Sequence, residues 1–205
     1  MDTLIFVKAG TKDIKKLLPL INDISQSKKF SVEKTTIMMA FLPFYQGCQL
    51  LEVMDHDSFP IIKRRFVYNR EENEIYSVDY KDETLQKLNN DIPLFLDEST
   101  AADYVRFYFD MVIGDYGRFY VVESIDDIPW LEDPTPQLRK SMASLVQDIS
   151  ITAQTKNDYT LKVSLLFKNS LFEAMVKLTK TGEVSILSQD ILLQDMPVHD
   201  QALGH

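Results

Sequence analysis

The chain has the composition of an acidic globular protein. It has 205 residues, of which 45% are hydrophobic and 26% charged, and its formal net charge is −9 at pH 7. This negative charge disfavours nucleic acid and anionic membrane surfaces as partners. Cys48 is the single cysteine, which excludes an internal disulfide and is typical of a reducing compartment. We therefore expect a soluble cytoplasmic protein.

The hydropathy pattern predicts neither a targeting segment nor a membrane span. The first residues lack the basic region and the long apolar region of a signal peptide. The longest apolar stretches are far shorter than the roughly 20 residues that a spanning helix needs.

The N-terminal part of the chain predicts one helix and one hairpin between less regular segments. In chain order the predicted elements are a strand at residues 3–7, a helix at 11–25, paired strands at 59–68 and 74–80, a polar helix or loop at 81–90, and a brief strand at 92–96. Thr11 is a candidate helix cap, and Pro19 is expected to kink or split this helix. The stretch that begins at Phe30 fits either a buried helix turn or a strand up to the break at Gly47, and residues 49–53 then look extended.

The middle of the chain predicts a well-defined helix at residues 99–113, with Gly114 as its C-terminal stop. Residues 118–123 form a strand that is apolar on both faces, which predicts a central position in a sheet. Thr135 and Pro136 then cap and begin a short helix that extends to Leu145.

The last third of the chain predicts a four-stranded antiparallel meander. Its strands are expected at residues 146–154, 159–168, 171–179 and 183–188. Apolar side chains alternate along each strand, which is typical of a sheet with one buried face.

The turns predict a register for this meander. A two-residue loop at Asn169 and Ser170 is favoured, because Asn tolerates the left-handed conformation that such a turn needs. The resulting pairs on the buried face are Phe167 with Phe172, Leu165 with Ala174, Val163 with Val176, and Leu161 with Leu178. On the other face Lys162 lies opposite Lys177, which is mildly unfavourable.

The loop at residues 180–182 predicts the register of the final hairpin. It has an odd number of residues and ends in Gly182, as in a three-residue hairpin loop with a bulge. Val184 and Ile186 should therefore share a face with Leu178 and Val176.

These elements predict an α+β fold, with a curved antiparallel meander sheet and the helices at 99–113 and 136–145 packed on one face. A helix followed by a four-stranded meander resembles cystatin-like and NTF2-like cones, as an analogy of architecture only. We expect a single domain over residues 1–205. Two lobes, 1–96 and 97–205, are the alternative, although no linker marks that boundary.

Side chains that could carry chemistry are few. The chain has no Walker-type loop, GxGxxG, HExxH, CxxC or GxSxG motif, so no cofactor is expected. Asp55, His56 and Asp57 are candidate ligands for a divalent metal, with a hydrogen-bonded polar turn as the alternative. Cys48 is a candidate nucleophile, but its apolar neighbours favour a small buried side chain.

The run at residues 63–70 is the only basic segment. As a strand it mixes arginines with aromatic residues, a combination that suits single-stranded nucleic acid. Pairing with acidic residues of the same hairpin, such as Arg64 with Asp79, explains it without a ligand and is favoured.

Two further sets of residues are candidate binding surfaces. One is an aromatic-lined ligand pocket between sheet and helix, with ordinary core packing as its alternative; its residues are Tyr104, Tyr108, Tyr120 and Trp130. The other is a homodimer interface on the second face of the meander, formed by Leu166, Met175 and Leu187.

The leading hypothesis for function is a non-catalytic binding or assembly module, because catalytic residue types are sparse and unclustered. A small-molecule pocket, which could be enzymatic, is the second hypothesis. A divalent-metal-dependent activity at residues 55–57 is the third. The sequence thus leans away from an enzyme and names no substrate.

Overall fold

The computed structural model of the chain describes residues 4–25 and 29–199. Within them are four α-helices, and ten strands that form two five-stranded antiparallel sheets. The predicted α+β class is confirmed. The contacts divide the chain into two compact units, one with the described residues up to Asp79 and 91–93, and the other with 80–90 and 94–199.

The elements follow one another in a fixed order. The helices are α1 Thr11–Ile24, α2 Asp82–Asp91, α3 Ala101–Met111 and α4 Pro136–Met142. The strands are β1 Val7–Lys8, β2 Thr35–Phe41, β3 Cys48–Asp55, β4 Ile62–Asn69, β5 Glu74–Val78, β6 Phe119–Val121, β7 Ser150–Gln154, β8 Asp158–Phe167, β9 Ser170–Thr179 and β10 Val184–Leu193. A short 3-10 helix covers Ile125–Asp127.

In the first unit, helix α1 packs on a sheet of order β1-β2-β3-β4-β5. The core of this unit contains Ile14, Leu17, Leu18 and Ile21 of the helix, and Ile37, Leu51, Val53, Phe66 and Tyr68 of the strands. The open stretch 30–53 is thus resolved as the β2–β3 hairpin. Residue 3 of the predicted first strand lies outside the described residues, and the strand itself begins at Val7.

Two details of α1 differ from prediction. Thr11 is the first helical residue, and Gly10 occupies the cap position without a side-chain hydrogen bond. The helix continues through Pro19 to Ile24 without splitting. Pro19 lies on the exposed side, so water can satisfy the carbonyl that loses its helical partner.

In the second unit, the sheet has the order β10-β9-β8-β6, and β7 also pairs with β8. Helix α3 lies on the predicted face, where Phe109 meets Phe119 edge to face at 6.0 Å between ring centroids. The opposite face has its own core, which contains Val122, Ile128, Met142, Val146, Leu166, Leu171, Met196 and Val198. Met142 of α4 therefore packs on the face opposite α3.

The register of the β8–β9 hairpin differs from the predicted register by two residues. Val163 pairs with Ala174 and Leu165 with Phe172, because Lys168 and Asn169 form the loop. Lys168 takes the left-handed conformation, with φ 53°. A shift of two residues keeps every side chain on its predicted face, so Val163 and Leu165 are buried as expected.

Charge explains why this register is preferred. The predicted register opposed Lys162 to Lys177, whereas the observed one brings each lysine to a carboxylate. Lys162 Nζ lies 2.7 Å from Glu173, and Lys177 Nζ lies 3.4 Å from Asp158. Two ion pairs replace one like-charge contact, and each contributes a few tenths to about 1 kcal/mol.

The final hairpin has the predicted register and a longer second strand. Val184 pairs with Leu178 and Ile186 with Val176, and Gly182 has φ 84°. Strand β10 does not end at residue 188 but continues to Leu193. Its pairing with β9 is interrupted by irregularities between residues 186 and 188 and between residues 191 and 193. Because each irregularity interrupts the alternation of apolar and polar residues, the alternation did not predict the full length of the strand.

Three further predictions are wrong. Strand β6 lies at an edge, since β8 is its one partner among the described strands, and its two apolar faces reflect packing on both sides. Helix α3 ends at Met111, before Gly114. Residues 92–96 form no strand.

The predicted cap at Thr135 is confirmed, since its hydroxyl accepts a hydrogen bond from the Leu138 amide.

Candidate functional site

Cys48 is buried, and its thiol is not positioned to react as a nucleophile. It lies at the start of β3 with no exposed surface. Burial, followed by the nearby charge of Glu71, raises the pKa of the Cys48 thiol to about 11. A nucleophile needs the thiolate, and this thiol stays protonated near neutral pH. Cys48 therefore acts as a small core residue.

The three candidate metal ligands form a turn at the end of β3. The buried Asp55 carboxylate accepts from the Asp57 amide at 3.2 Å and from the Ser58 hydroxyl at 2.6 Å. The His56 ring contacts the Thr36 hydroxyl at 3.0 Å instead. Across residues 4–25 and 29–199, no group of three or more His, Cys, Asp or Glu side chains is arranged to hold a metal ion. The structure thus gives these side chains separate partners.

Glu52 forms ion pairs with two residues of the basic run in β4. Glu52 on β3 lies 2.7 Å from Lys63 Nζ and 2.8 Å from Arg65 Nη2. Burial acts to raise the Glu52 pKa, but the hydrogen bonds and charges of these two residues outweigh it and lower the pKa. Cross-strand ion pairing therefore involves Glu52 on β3. Arg65 pairs with Val78 in the register that sets Arg64 level with Asp79, as predicted, although β5 itself ends at Val78.

The four aromatic residues of the predicted pocket lie in two separate places. Tyr104 on α3 is fully buried and donates to the Gly182 carbonyl at 3.0 Å. Tyr108 is on the same helix, and burial, followed by the charge of Asp82, raises its pKa. Tyr120 and Trp130 pack against the core on the opposite face of the sheet. The structure does not bring all four residues to one cavity.

The predicted interface on the second face of the meander is partly covered by the chain itself. Leu166 is buried in the core that includes Met142 of α4. Met175 is half-buried, and Leu187 remains exposed. The lysines of this face form ion pairs with Glu173 and Asp158. What is left is a polar surface with isolated apolar residues.

The free edge of β10 is the most distinctive exposed feature of the second unit. Strand β10 has ten residues, and β9 is its one strand partner in the described part of the chain. Leu187 is 57% exposed and Ile191 is 55% exposed. The strand has a single charged side chain, Asp190. This edge was not predicted, because the predicted strand ends at Ser188, although apolar residues recur from residue 191.

A partly buried ion pair, which was not predicted from the sequence, stabilises the second unit. Arg106 on α3 contacts Glu123 in a bidentate manner, at 2.6 and 2.7 Å, and contacts Asp103 at 2.6 Å. Glu123 further accepts from the Ile149 amide at 3.0 Å. These contacts join α3 to the segments that follow β6 and precede β7, which is a structural role.

The first unit has exposed apolar side chains of its own. Phe59 and Ile61 lie in the β3–β4 loop, and Val7 and Phe41 lie on the edge strand β1 and its neighbour β2. The sequence analysis placed Phe59 in a strand, but that strand begins at Ile62. The edge strand β1 has two residues, so it presents a shorter edge than β10.

Comparison with known proteins gives no family assignment. No family model, curated protein or solved structure matches this chain significantly. In the part of the chain that the structure describes, no helix is both long and apolar enough to span a membrane.

Proposed function

We propose that this chain is a non-catalytic assembly module of a cytoplasmic protein and that it forms a homodimer. The observation that carries the proposal is the edge position of β10, a ten-residue strand that pairs only with β9 among the described strands and bears two exposed aliphatic side chains. Exposed edges pair readily with further strands, and two-fold dimers are the commonest assembly of soluble proteins.

Charge and chemistry support a protein partner. A net charge of −9 opposes binding to nucleic acid or an anionic membrane. Apolar side chains with little charge are typical of the centre of a protein interface. A cytoplasmic location is supported by Cys48, a lone and buried thiol. The Cys48 thiol and the Asp55 carboxylate serve the fold, which favours a binding role over a catalytic one.

Light scattering over a concentration series tests the proposal. We expect the mass to rise from that of one chain toward that of two. Leu187→Glu should shift the equilibrium toward the monomer, because it introduces a carboxylate at the contact. Leu131→Glu is the matched control, since Leu131 is 53% exposed and lies outside the strands. A mass of one chain at every concentration would contradict the proposal.

A further inference from the structure

We infer that the dimer forms by antiparallel pairing of β10 with β10 of a second copy, about a two-fold axis at Gln189. This inference rests on the proposed function and specifies its interface. Such pairing would join two five-stranded sheets into one continuous sheet, with the same strand contributed by both copies.

The irregularities in β10 define which part of the edge is available. Residues 188–191 pair regularly with β9, from Ser188 opposite Met175 to Ile191 opposite Phe172. The irregular positions on either side twist a strand and interrupt its ladder. Regular pairing with a second copy is therefore confined to a short central segment, which limits open-ended stacking and predicts a weak, concentration-dependent dimer.

Charge selects the register within that segment. A two-fold axis at Asp190 would oppose the two Asp190 carboxylates, which is unfavourable for like charges on paired strands. An axis at Gln189 places each Asp190 opposite Ser188 of the second copy. In this register Ile191, opposite Phe172, and Leu187, at the irregular position between Ile186 and Ser188, lie on different faces of the joined sheet, so each would lose exposed apolar area beside the seam without contacting the other.

The remaining surfaces of this unit fit a second copy less well. Next to the free edge, the second face of the sheet presents the ion pairs of Lys162 and Lys177. Two chains with net charge −9 also repel each other, which favours a contact of small area and few charges. The segment 188–191 has one acidic residue and no basic residue, and the two-fold register keeps the acidic residues apart.

Disulfide crosslinking tests this register directly. Directly opposed residues of antiparallel strands have Cα atoms about 4.5 to 5.5 Å apart, within the roughly 4.4 to 6.8 Å range of disulfides. Gln189→Cys should therefore crosslink to itself under mild oxidation. The native Cys48 is fully buried and does not interfere.

A cysteine on the same strand provides the control. Ser185→Cys is also exposed, but in this register it lies opposite Leu193 of the second copy, so the two introduced thiols are more than about 20 Å apart. We expect at least a tenfold higher crosslinking rate for Gln189→Cys than for Ser185→Cys. A mixture of Ser188→Cys and Asp190→Cys chains should crosslink faster than either variant alone. Circular dichroism checks that each variant folds.

The outcomes separate the interface from the function. A dimeric mass with fast Gln189→Cys crosslinking supports both. A dimeric mass with equal rates for Gln189→Cys and Ser185→Cys overturns the β10 interface and leaves the assembly function intact. A monomeric mass at every concentration overturns the assembly function and this interface together.

Discussion

At the scale of single residues, Cys48 links burial to a measurable pH dependence. Its pKa is raised to about 11 in the folded chain, whereas an unfolded cysteine titrates near about 8.5. Above that pH the unfolded chain loses the proton and the folded chain keeps it, so stability falls as pH rises. The slope from this one group is at most about 1.4 kcal/mol per pH unit.

Chemical denaturation from pH 8 to pH 10 checks this effect. The Cys48→Ala variant should show a flatter dependence than the native chain over that window. Tyr76, whose pKa burial and Glu74 raise to about 12, contributes mainly above pH 10 in both proteins. Equal slopes for the two proteins would show that the buried thiol does not titrate as its surroundings predict.

Glu123 provides a second residue-scale prediction, with the opposite sign. Burial acts to raise its pKa, but hydrogen bonds from Arg106 and the Ile149 amide, with the guanidinium charge, lower the pKa overall. Its stabilisation is therefore present above about pH 4.3, the unfolded value, and is lost as pH falls through the lower folded pKa. Glu123→Gln should cost about 2–3 kcal/mol at pH 7 in urea denaturation.

An exposed ion pair gives the matched control for Glu123. Asp126 contacts Arg139 at 2.7 Å, and their side chains are 76% and 41% exposed, respectively. Asp126→Asn should cost less than about 1 kcal/mol, because solvent screens such pairs. Similar costs for the two variants would contradict the structural role of Glu123.

At the scale of elements, Gly182 shows how one turn organises its surroundings. It has φ 84°, and an added Cβ would lie 2.7 Å from Tyr104 Oη and 2.8 Å from Leu94 Cδ2. Gly182→Ala should therefore lower the free energy of unfolding by more than about 1 kcal/mol. Gly114→Ala is the control, since its nearest contact is at 3.6 Å. Thermal melts compare the two, and equal melting temperatures would contradict the crowding.

The register of the β8–β9 hairpin predicts which side chains are coupled. In a double-mutant cycle, Lys162 and Glu173 should show a coupling of about 0.5 to 1 kcal/mol, measured by denaturation. Lys162 and Lys177 should show little coupling, because Lys177 lies opposite Thr160. A strong repulsive coupling between the two lysines would instead restore the register with Asn169 and Ser170 as the loop.

The hairpins also show what a sequence pattern can determine. Alternation assigned Val163 and Ala174 to the buried face, because a face depends only on parity. The partner of each residue depended on which two residues formed the loop. Lysine is not a residue type that favours the left-handed conformation, so the sequence did not indicate that Lys168 would begin the loop. The irregular positions of β10 broke alternation, so its length and its exposed edge were not predictable.

Candidate sites were harder to predict than faces. A residue such as Tyr104 could bind a ligand, but its observed role depends on the Gly182 carbonyl, a partner that is distant in sequence. Glu52 and Glu123 have such partners, in Lys63 and Arg106, and neither stood out in the pattern. The ion-pair partner of such a carboxylate cannot be predicted from neighbouring residues in the sequence. It becomes evident only when the strand pairing is known.

At the scale of the whole molecule, each open sheet has two edges, and β10 is the longest of the edge strands. Strand β1 has two residues, whereas β10 has ten and bears Leu187 and Ile191 on its surface. The acidic net charge keeps copies of the chain apart except where a surface has few charges. We therefore propose that assembly proceeds through β10.

Hydrogen exchange at the amides of residues 188–191 tests assembly through β10 most directly. In the monomer, those amides of the edge strand that face away from β9 exchange with water, and strand pairing with a second copy would protect them. We predict that exchange in 188–191 slows severalfold from low to high protein concentration, while exchange at the β1 edge does not change. Exchange rates in 188–191 that are independent of concentration, under conditions where light scattering detects a dimer, would contradict assembly through β10.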